Sequence, residues 1–200
     1  MIRHAQSVWN AAGLWQGQAD PSLSPEGRAQ AAAAGVRLEG LGFDGVFTSD
    51  LTRAVETAEI LAASLPSKPA MLVDPGLREY DVGEWSGRLR EEIESLWPGD
   101  IKRFATGELS SPPGGEDRAA FDSRVLSAAG RVARYAADAG WQSILVVAHG
   151  GVVRTLARLC GVTEYRVGHL AGYRGRHADG RLYPEEPVDL LELEMAPGST

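Results

Sequence analysis

Ser143-Ile144-Leu145-Val146-Val147-Ala148-His149-Gly150-Gly151 is the stretch on which the fold turns. Apolar, largely β-branched residues run from Ile144 to Ala148 without a polar interruption, too few for a helix and too uniform for a strand with one wet face. That pattern predicts a strand buried on both sides, as in a parallel sheet covered by helices. The run stops at a histidine, and a helical pattern follows from Val152 to Leu159. A strand that ends where a helix opens leaves free N–H groups and a positive dipole end beside His149, which favours an anion there.

The rest of the chain alternates in the same way. Ser24-Pro25 reads as a helix start, a capping hydroxyl followed by proline at the first helical position, and an Ala-rich helix continues toward Leu38. Val46-Phe47-Thr48-Ser49 is a short buried strand, after which Asp50 is expected to cap a helix from Leu51 to Leu65. Met71-Leu72-Val73 is another strand, Asp117 to Ala139 the longest helical pattern, and Val188 to Leu193 a final strand. Tyr173 to Glu186, polar and rich in Gly and Arg, is expected to be a surface loop. Strands separated by helices predict an α/β protein, a three-layer α/β/α sandwich with a mainly parallel central sheet. No repeat or linker divides the 200 residues, so one domain over 1–200 is expected. The Pro/Gly-rich Leu109-Ser110-Ser111-Pro112-Pro113-Gly114-Gly115 would then close a loop insertion, about 88–116, beside the site.

Composition narrows the function classes. The net charge of −7 argues against a broad nucleic-acid surface, which needs clustered positive charge. No apolar stretch approaches the length of a membrane span and no basic-then-apolar leader opens the chain, so no membrane partner is expected. One cysteine, Cys160, fits a reducing compartment, and a cytoplasmic location is expected. A small phosphorylated ligand stays compatible, because a few converging arginines can dominate a local field.

Ligands of open α/β sheets bind beyond the carboxyl ends of the strands, and the chemically able residues fall at such ends. Only Met1 and Ile2 precede Arg3-His4, so the first strand must be very short. Ser49-Asp50 ends the second strand, Glu79 comes soon after the third, and His149 ends the fourth. A neutral histidine nitrogen attacks phosphorus if nearby positive charge neutralises the phosphoryl oxygens. Arg3, Arg53 and a second histidine would supply that charge, with Asn10 and helix N–H groups donating further bonds. Glu79 would give the leaving alcohol its proton and, once ionised, activate water.

These residues also carry a resemblance. Arg3-His4-Ala5-Gln6-Ser7-Val8-Trp9-Asn10, Gln16-Gly17, Leu23-Ser24-Pro25-Glu26-Gly27, Ser49-Asp50-Leu51-Thr52-Arg53-Ala54 with Thr57-Ala58, Leu77-Arg78-Glu79-Tyr80-Asp81-Val82-Gly83-Glu84-Trp85-Ser86-Gly87, Gly114-Gly115-Glu116 and Ala148-His149-Gly150-Gly151 follow one another in order. Together they resemble the histidine phosphatase superfamily, which includes cofactor-dependent phosphoglycerate mutase. The resemblance implies a phosphoglycerate mutase-like fold and a phosphohistidine on His4. It makes Arg3, Arg53 and His149 the phosphate pocket, Asn10 a further contact and Glu79 the proton donor. Ser7, Gly17 and Gly150 fall where relatives touch substrate. No metal or other cofactor is implied. Ala5 replaces the usual glycine after the nucleophile, which predicts a slight reshaping.

Other readings compete at several positions. Arg53 would pair with Glu56 or Glu59 if it were a solvated helix residue, and Asp81 and Glu84 compete with Glu79. His169 and His177 are expected at the surface or in structural roles. Arg118, Arg124, Arg131 and Arg134 read as a solvated helix face, and Trp85 and Trp97 as loop and core anchors. The insertion after Glu79 is short compared with that of the mutases, so a metal-independent phosphomonoesterase acting on a small phosphorylated metabolite is expected. A phosphoglycerate mutase and a weakly active phospho-ligand binder are the alternatives.

Overall fold

The computed structural model describes residues 1–162, 167–178 and 181–192, with the backbone alone at 181 and 182. In chain order the elements are β1 (Ile2–Arg3), α1 (Val8–Ala11), α2 (Pro25–Leu38), β2 (Gly45–Thr48), α3 (Thr52–Ser64) and β3 (Ala70–Val73). Two 3₁₀ turns follow (Pro75–Leu77, Gly83–Trp85), then α4 (Arg90–Leu96), α5 (Asp100–Thr106), α6 (Arg118–Asp138), β4 (Ile144–Ala148), α7 (Gly150–Leu159), β5 (Ala171–Ala178) and β6 (Arg181–Asp189).

Among the described residues the strands form one six-stranded sheet in the order β3-β2-β4-β1-β5-β6. The inner pairs β1/β4, β2/β4 and β2/β3 are parallel, while β5 runs antiparallel to β1 and β6 antiparallel to β5. The uninterrupted apolar run of β4 is explained by its two faces. Leu145 and Val147 enter one core with Val46, Ala31 and Ala34 of α2, and Ala54, Ala58 and Leu61 of α3. Val146 and Ala148 enter the other with Phe47, Phe121 and Val125 of α6, and Val152 and Leu156 of α7. Period-two alternation thus feeds both layers from one strand, and the three-layer α/β/α sandwich is realised.

Helix starts follow local chemistry in two cases and depart from it in a third. Ser24 Oγ accepts the Gly27 N–H at α2, and Asp117 accepts from Ala119 and Ala120 at α6. Asp50 does not cap α3. Its carboxylate forms a two-pronged pair with Arg78, at 2.7 and 2.5 Å, and Asp20 accepts the Thr52 N–H from across the molecule instead.

Three further expectations are corrected. The supposed surface loop from Tyr173 to Glu186 is most of the β5–β6 hairpin, and the final strand is Arg181–Asp189 rather than Val188 to Leu193, whose last residue lies outside the described residues. The insertion is not a plain loop but carries α4 and α5. Among the described residues no helix is long and apolar enough to cross a membrane.

Candidate active site

The carboxyl ends of β1, β2 and β4 lie side by side because these strands are parallel neighbours, and they carry His4, Ser49 and His149 to one place. The His4 N–H extends the ladder by donating to Ala148 O at 2.9 Å. Its ring is buried, with Nδ1 2.6 Å from Ala5 O, so Nδ1 carries the proton and Nε2 presents its lone pair. Arg53 Nε approaches that Nε2 at 3.2 Å.

Arg53 stands in the first turn of α3 but turns inward and is only 1 % exposed, which excludes a solvated pair with Glu56 or Glu59. Its other nitrogens donate to Ala19 O at 2.7 Å and Gly17 O at 2.8 Å. Burial pulls its pKa down to about 10, against the attraction of Glu79 and Asp20, so it is a cation at neutral pH. Gly17 earns its place by closeness: at φ +53 a Cβ there would lie 2.6 Å from Val82 Cγ2 and 2.9 Å from Val82 N. Its carbonyl therefore aims Arg53 rather than a ligand.

His149 is fully buried, its ring centred 5.1 Å from that of His4. Ser49 Oγ accepts from Leu51 N–H at 3.4 Å and shares a hydrogen bond of 2.6 Å with His149 Nε2, leaving the ring's Nδ1 as its second polar atom. That Nδ1 has no partner among the described residues. Burial, reinforced by Arg53, Arg3 and Arg124, holds the His149 pKa well below 6.5; burial, then His149, Arg53 and Arg3, does the same for His4. Both rings are neutral. His149 thus lacks the charge its position in the sequence suggested.

Arg3 donates to Val167 O at 3.1 Å and, with His4, Asn10, Gly17, Arg53 and Glu79, lines a cleft of about 880 Å³. Glu79 is singled out from its neighbours: its carboxylate accepts the N–H groups of Tyr80 at 2.9 Å and Gly151 at 3.0 and 3.1 Å. Asp81 is used in its own turn by Gly83, and Glu84 is exposed. A Cβ at Gly151 would sit 2.1 Å from Glu79 Oε1, so only glycine admits this contact. It is Gly151, not the buried Gly150, that lines the cleft. Ser7 is likewise corrected: fully buried, its hydroxyl donates to Gln16 Oε1 at 2.7 Å and caps α1 through Asn10 N, so it shapes the turn rather than the cleft. Ala5 is buried in the second core, its N–H on Thr57 Oγ1.

Two residues were missed. His169, expected in a peripheral role, lies with its ring 6.3 Å from that of His4 and its Nε2 3.2 Å from Asn10 Oδ1. That oxygen also takes the Ser7 N–H at 3.2 Å, so two donors fix which way the Asn10 amide points. Burial, then Arg3, pushes the His169 pKa down to about 4. The next residue, Leu170, is fully buried at φ +56, and its N–H meets Arg3 O. A bulky residue in the left-handed region is a true outlier, and glycine, the usual signal, is absent here. Arg124 is not solvated either: it pairs with Glu116 at 2.7 Å and holds the carbonyls of Gly76, Arg78 and Glu79. His177 is exposed, while Trp85 is wholly buried in the core and Trp97 packs against it. Among the described residues no group of three acidic, histidine or cysteine side chains converges as a metal site would require.

Known proteins resemble this chain in sequence and fold. The chain is 37% identical over 173 residues to the 2,3-bisphosphoglycerate-dependent phosphoglycerate mutase of Methylobacterium radiotolerans, covering 84% of this chain and 81% of that one. The alpha-ribazole phosphatase of Shigella flexneri superposes with a TM-score of 0.78 at 26% identity, over 92% of each chain. A mycobacterial glucosyl-3-phosphoglycerate phosphatase in complex with VO3 does so with 0.74 at 29% identity, over 93% of this chain and 96% of that one. Residues 1–173 match the profile of one family throughout, and the chain belongs to branch 1 of the histidine phosphatase superfamily.

Proposed function

We propose that this chain is a phosphomonoesterase that works through a phosphohistidine on His4. The state of His4 carries the reading: a buried, neutral imidazole whose Nδ1 is occupied by Ala5 O and whose Nε2 lone pair lies beside the guanidinium of Arg53. A nucleophilic nitrogen next to fixed cations suits a phosphoryl group, whose oxygens would take the place of that ring nitrogen as acceptors for Arg53. Arg3, Asn10 and His149, through its unpartnered Nδ1 in the tautomer that protonates it, would hold the remaining oxygens.

In the first step the Nε2 lone pair forms the N–P bond, the P–O ester bond breaks, and protonated Glu79 gives its proton to the departing alkoxide. In the second, Glu79 as carboxylate takes a proton from water, the water oxygen attacks phosphorus, the N–P bond breaks, and phosphate leaves with His4 neutral again. Exposed Arg90, Arg154 and Arg158 line the same cleft, so water has access to the phosphoenzyme, which favours hydrolysis over return of the phosphate.

A metal-free assay with a chromogenic phosphomonoester tests the reading: His4→Ala should abolish turnover, and intact activity in that variant would defeat it. The mutase reading is favoured by the names of the curated relatives, which reach 37% identity. Phosphoglycerate interconversion that outpaces hydrolysis when a bisphosphoglycerate primer is added would replace the phosphatase assignment with that one.

A further inference from the structure

The phosphoryl cage occupies only one end of the cleft. Its volume of about 880 Å³ lies in the upper part of the range that holds drug-sized molecules, far beyond a phosphate on a short carbon chain. Past Glu79 the wall is built from Trp15, Tyr80, Ile101, Phe104 and Phe121. The rings form one connected surface. Tyr80 meets Phe104 at 5.0 Å and Phe121 at 4.6 Å, while Trp85, behind the wall, joins Trp15 at 5.2 Å to Phe104 at 5.6 Å. Trp15 and Phe104 stay partly exposed, so the wall offers apolar area that a ligand can cover.

Of the outer cations Arg90, Arg118, Arg154 and Arg158, two are committed. Arg118 stacks over the Phe104 ring at 5.0 Å and donates to Phe104 O, so it stiffens the wall. Arg158 is gripped by both oxygens of Asp122 at 2.7 Å. Arg154 is the one basic side chain of α7 in this cleft without a carboxylate partner among the described residues. A small hydroxy acid or polyol would leave the aromatic wall wet, whereas a flat apolar ring would cover it.

We propose that the alcohol portion of the substrate carries an aromatic or fused apolar ring system that lies against Phe104, Tyr80 and Trp15. This rests on the phosphomonoesterase reading and names its substrate class. The test compares 2-(2-naphthyl)ethyl phosphate with propyl phosphate. Both release a primary alkoxide, so the comparison reads the wall and not the leaving group.

The naphthyl ester should show a kcat/KM about 100-fold higher, which is about 2.8 kcal/mol at 1.4 kcal/mol per tenfold. Phe104→Ala should shrink that ratio by about tenfold and Phe104→Trp should preserve it. Equal kcat/KM for the two esters would overturn the proposal. So would an undiminished ratio in a Phe104→Ala protein of wild-type melting temperature, or 3-phosphoglycerate being the better substrate. Turnover without ring preference sinks the ring proposal alone. Turnover of neither ester, nor of p-nitrophenyl phosphate, defeats the phosphomonoesterase reading and the ring proposal with it.

Discussion

The two ends of the cleft are built by different means. At the inner end nearly every polar atom is tied: Arg53 to two carbonyls and a ring nitrogen, Glu79 to two backbone N–H groups, the Asn10 oxygen to two donors. At the outer end rings lean on rings, and the seven-residue helix α5 supplies Ile101 and Phe104 to the wall. Hydrogen bonds fix direction to within tenths of an ångström, whereas apolar contact tolerates changes of shape. The inner end is suited to one reaction, and the outer end to a substrate preference that can drift without disturbing the chemistry.

Exchanging Arg53 for lysine is the harshest test of that contrast. Arg53→Lys keeps the charge but loses the fork that spans Gly17 O, Ala19 O and His4, so kcat/KM should fall about 10²- to 10³-fold. A loss under about tenfold, in a steady-state assay, would mean that charge and not direction matters at the inner end. Glu79→Gln should come next. It should slow an alkyl phosphate by about 10²-fold and p-nitrophenyl phosphate far less, because the aryl leaving group needs little protonation. Equal losses for the two esters would remove Glu79 as the acid.

His169 sharpens the comparison from the margin of the cage. His169→Ala should raise KM about tenfold with a smaller change in kcat, by freeing the Asn10 amide to turn, and His169→Gln should restore most of it by returning a donor. No rescue by glutamine would assign His169 a merely space-filling part.

The smallest effect concerns pH. His4, His149 and His169 have folded-state pKa values below the ordinary 6.5, His169 at about 4. The unfolded chain therefore binds these protons first as pH falls, so their stabilising contribution is present above about 6.5 and is lost on the way down toward 4. The melting temperature should drop across that window, less steeply in His169→Gln. Identical slopes would contradict the burial of that ring.

What the sequence disclosed follows the same division. β4, α2 and α6 announce themselves because their patterns have one cause each, burial on two faces or on one stripe. His4, Glu79 and His149 were found because strand ends collect ligands, the family motif singled Glu79 out from Asp81 and Glu84 and marked Arg53 on its helix, and the cleft brings Arg3, His4, Arg53 and Glu79 to its inner end with His149 buried against His4. The β5–β6 hairpin was hidden. Beyond Ala171 and Gly172 β5 is largely exposed, so it has no alternation to read, and β6 carries Pro184 and Pro187, which an edge strand tolerates and a central one does not. Missing the hairpin meant missing His169, whose approach depends on the left-handed turn at Leu170. Arg124 was misjudged because α6 packs against the Pro75–Leu77 turn, whose carbonyls and those that follow it need a donor that no helical pattern reveals.

β1 has a consequence for how the protein comes to be active. Its two residues pair with β4 on one side and β5 on the other, and Arg3 reaches a carbonyl 164 positions away. Contacts between segments so far apart in sequence close late, because loop entropy opposes them until the intervening chain is ordered. His4 is therefore seated only where β4 and β5 flank β1, so a chain in which either pairing is lost holds the nucleophile but cannot use it.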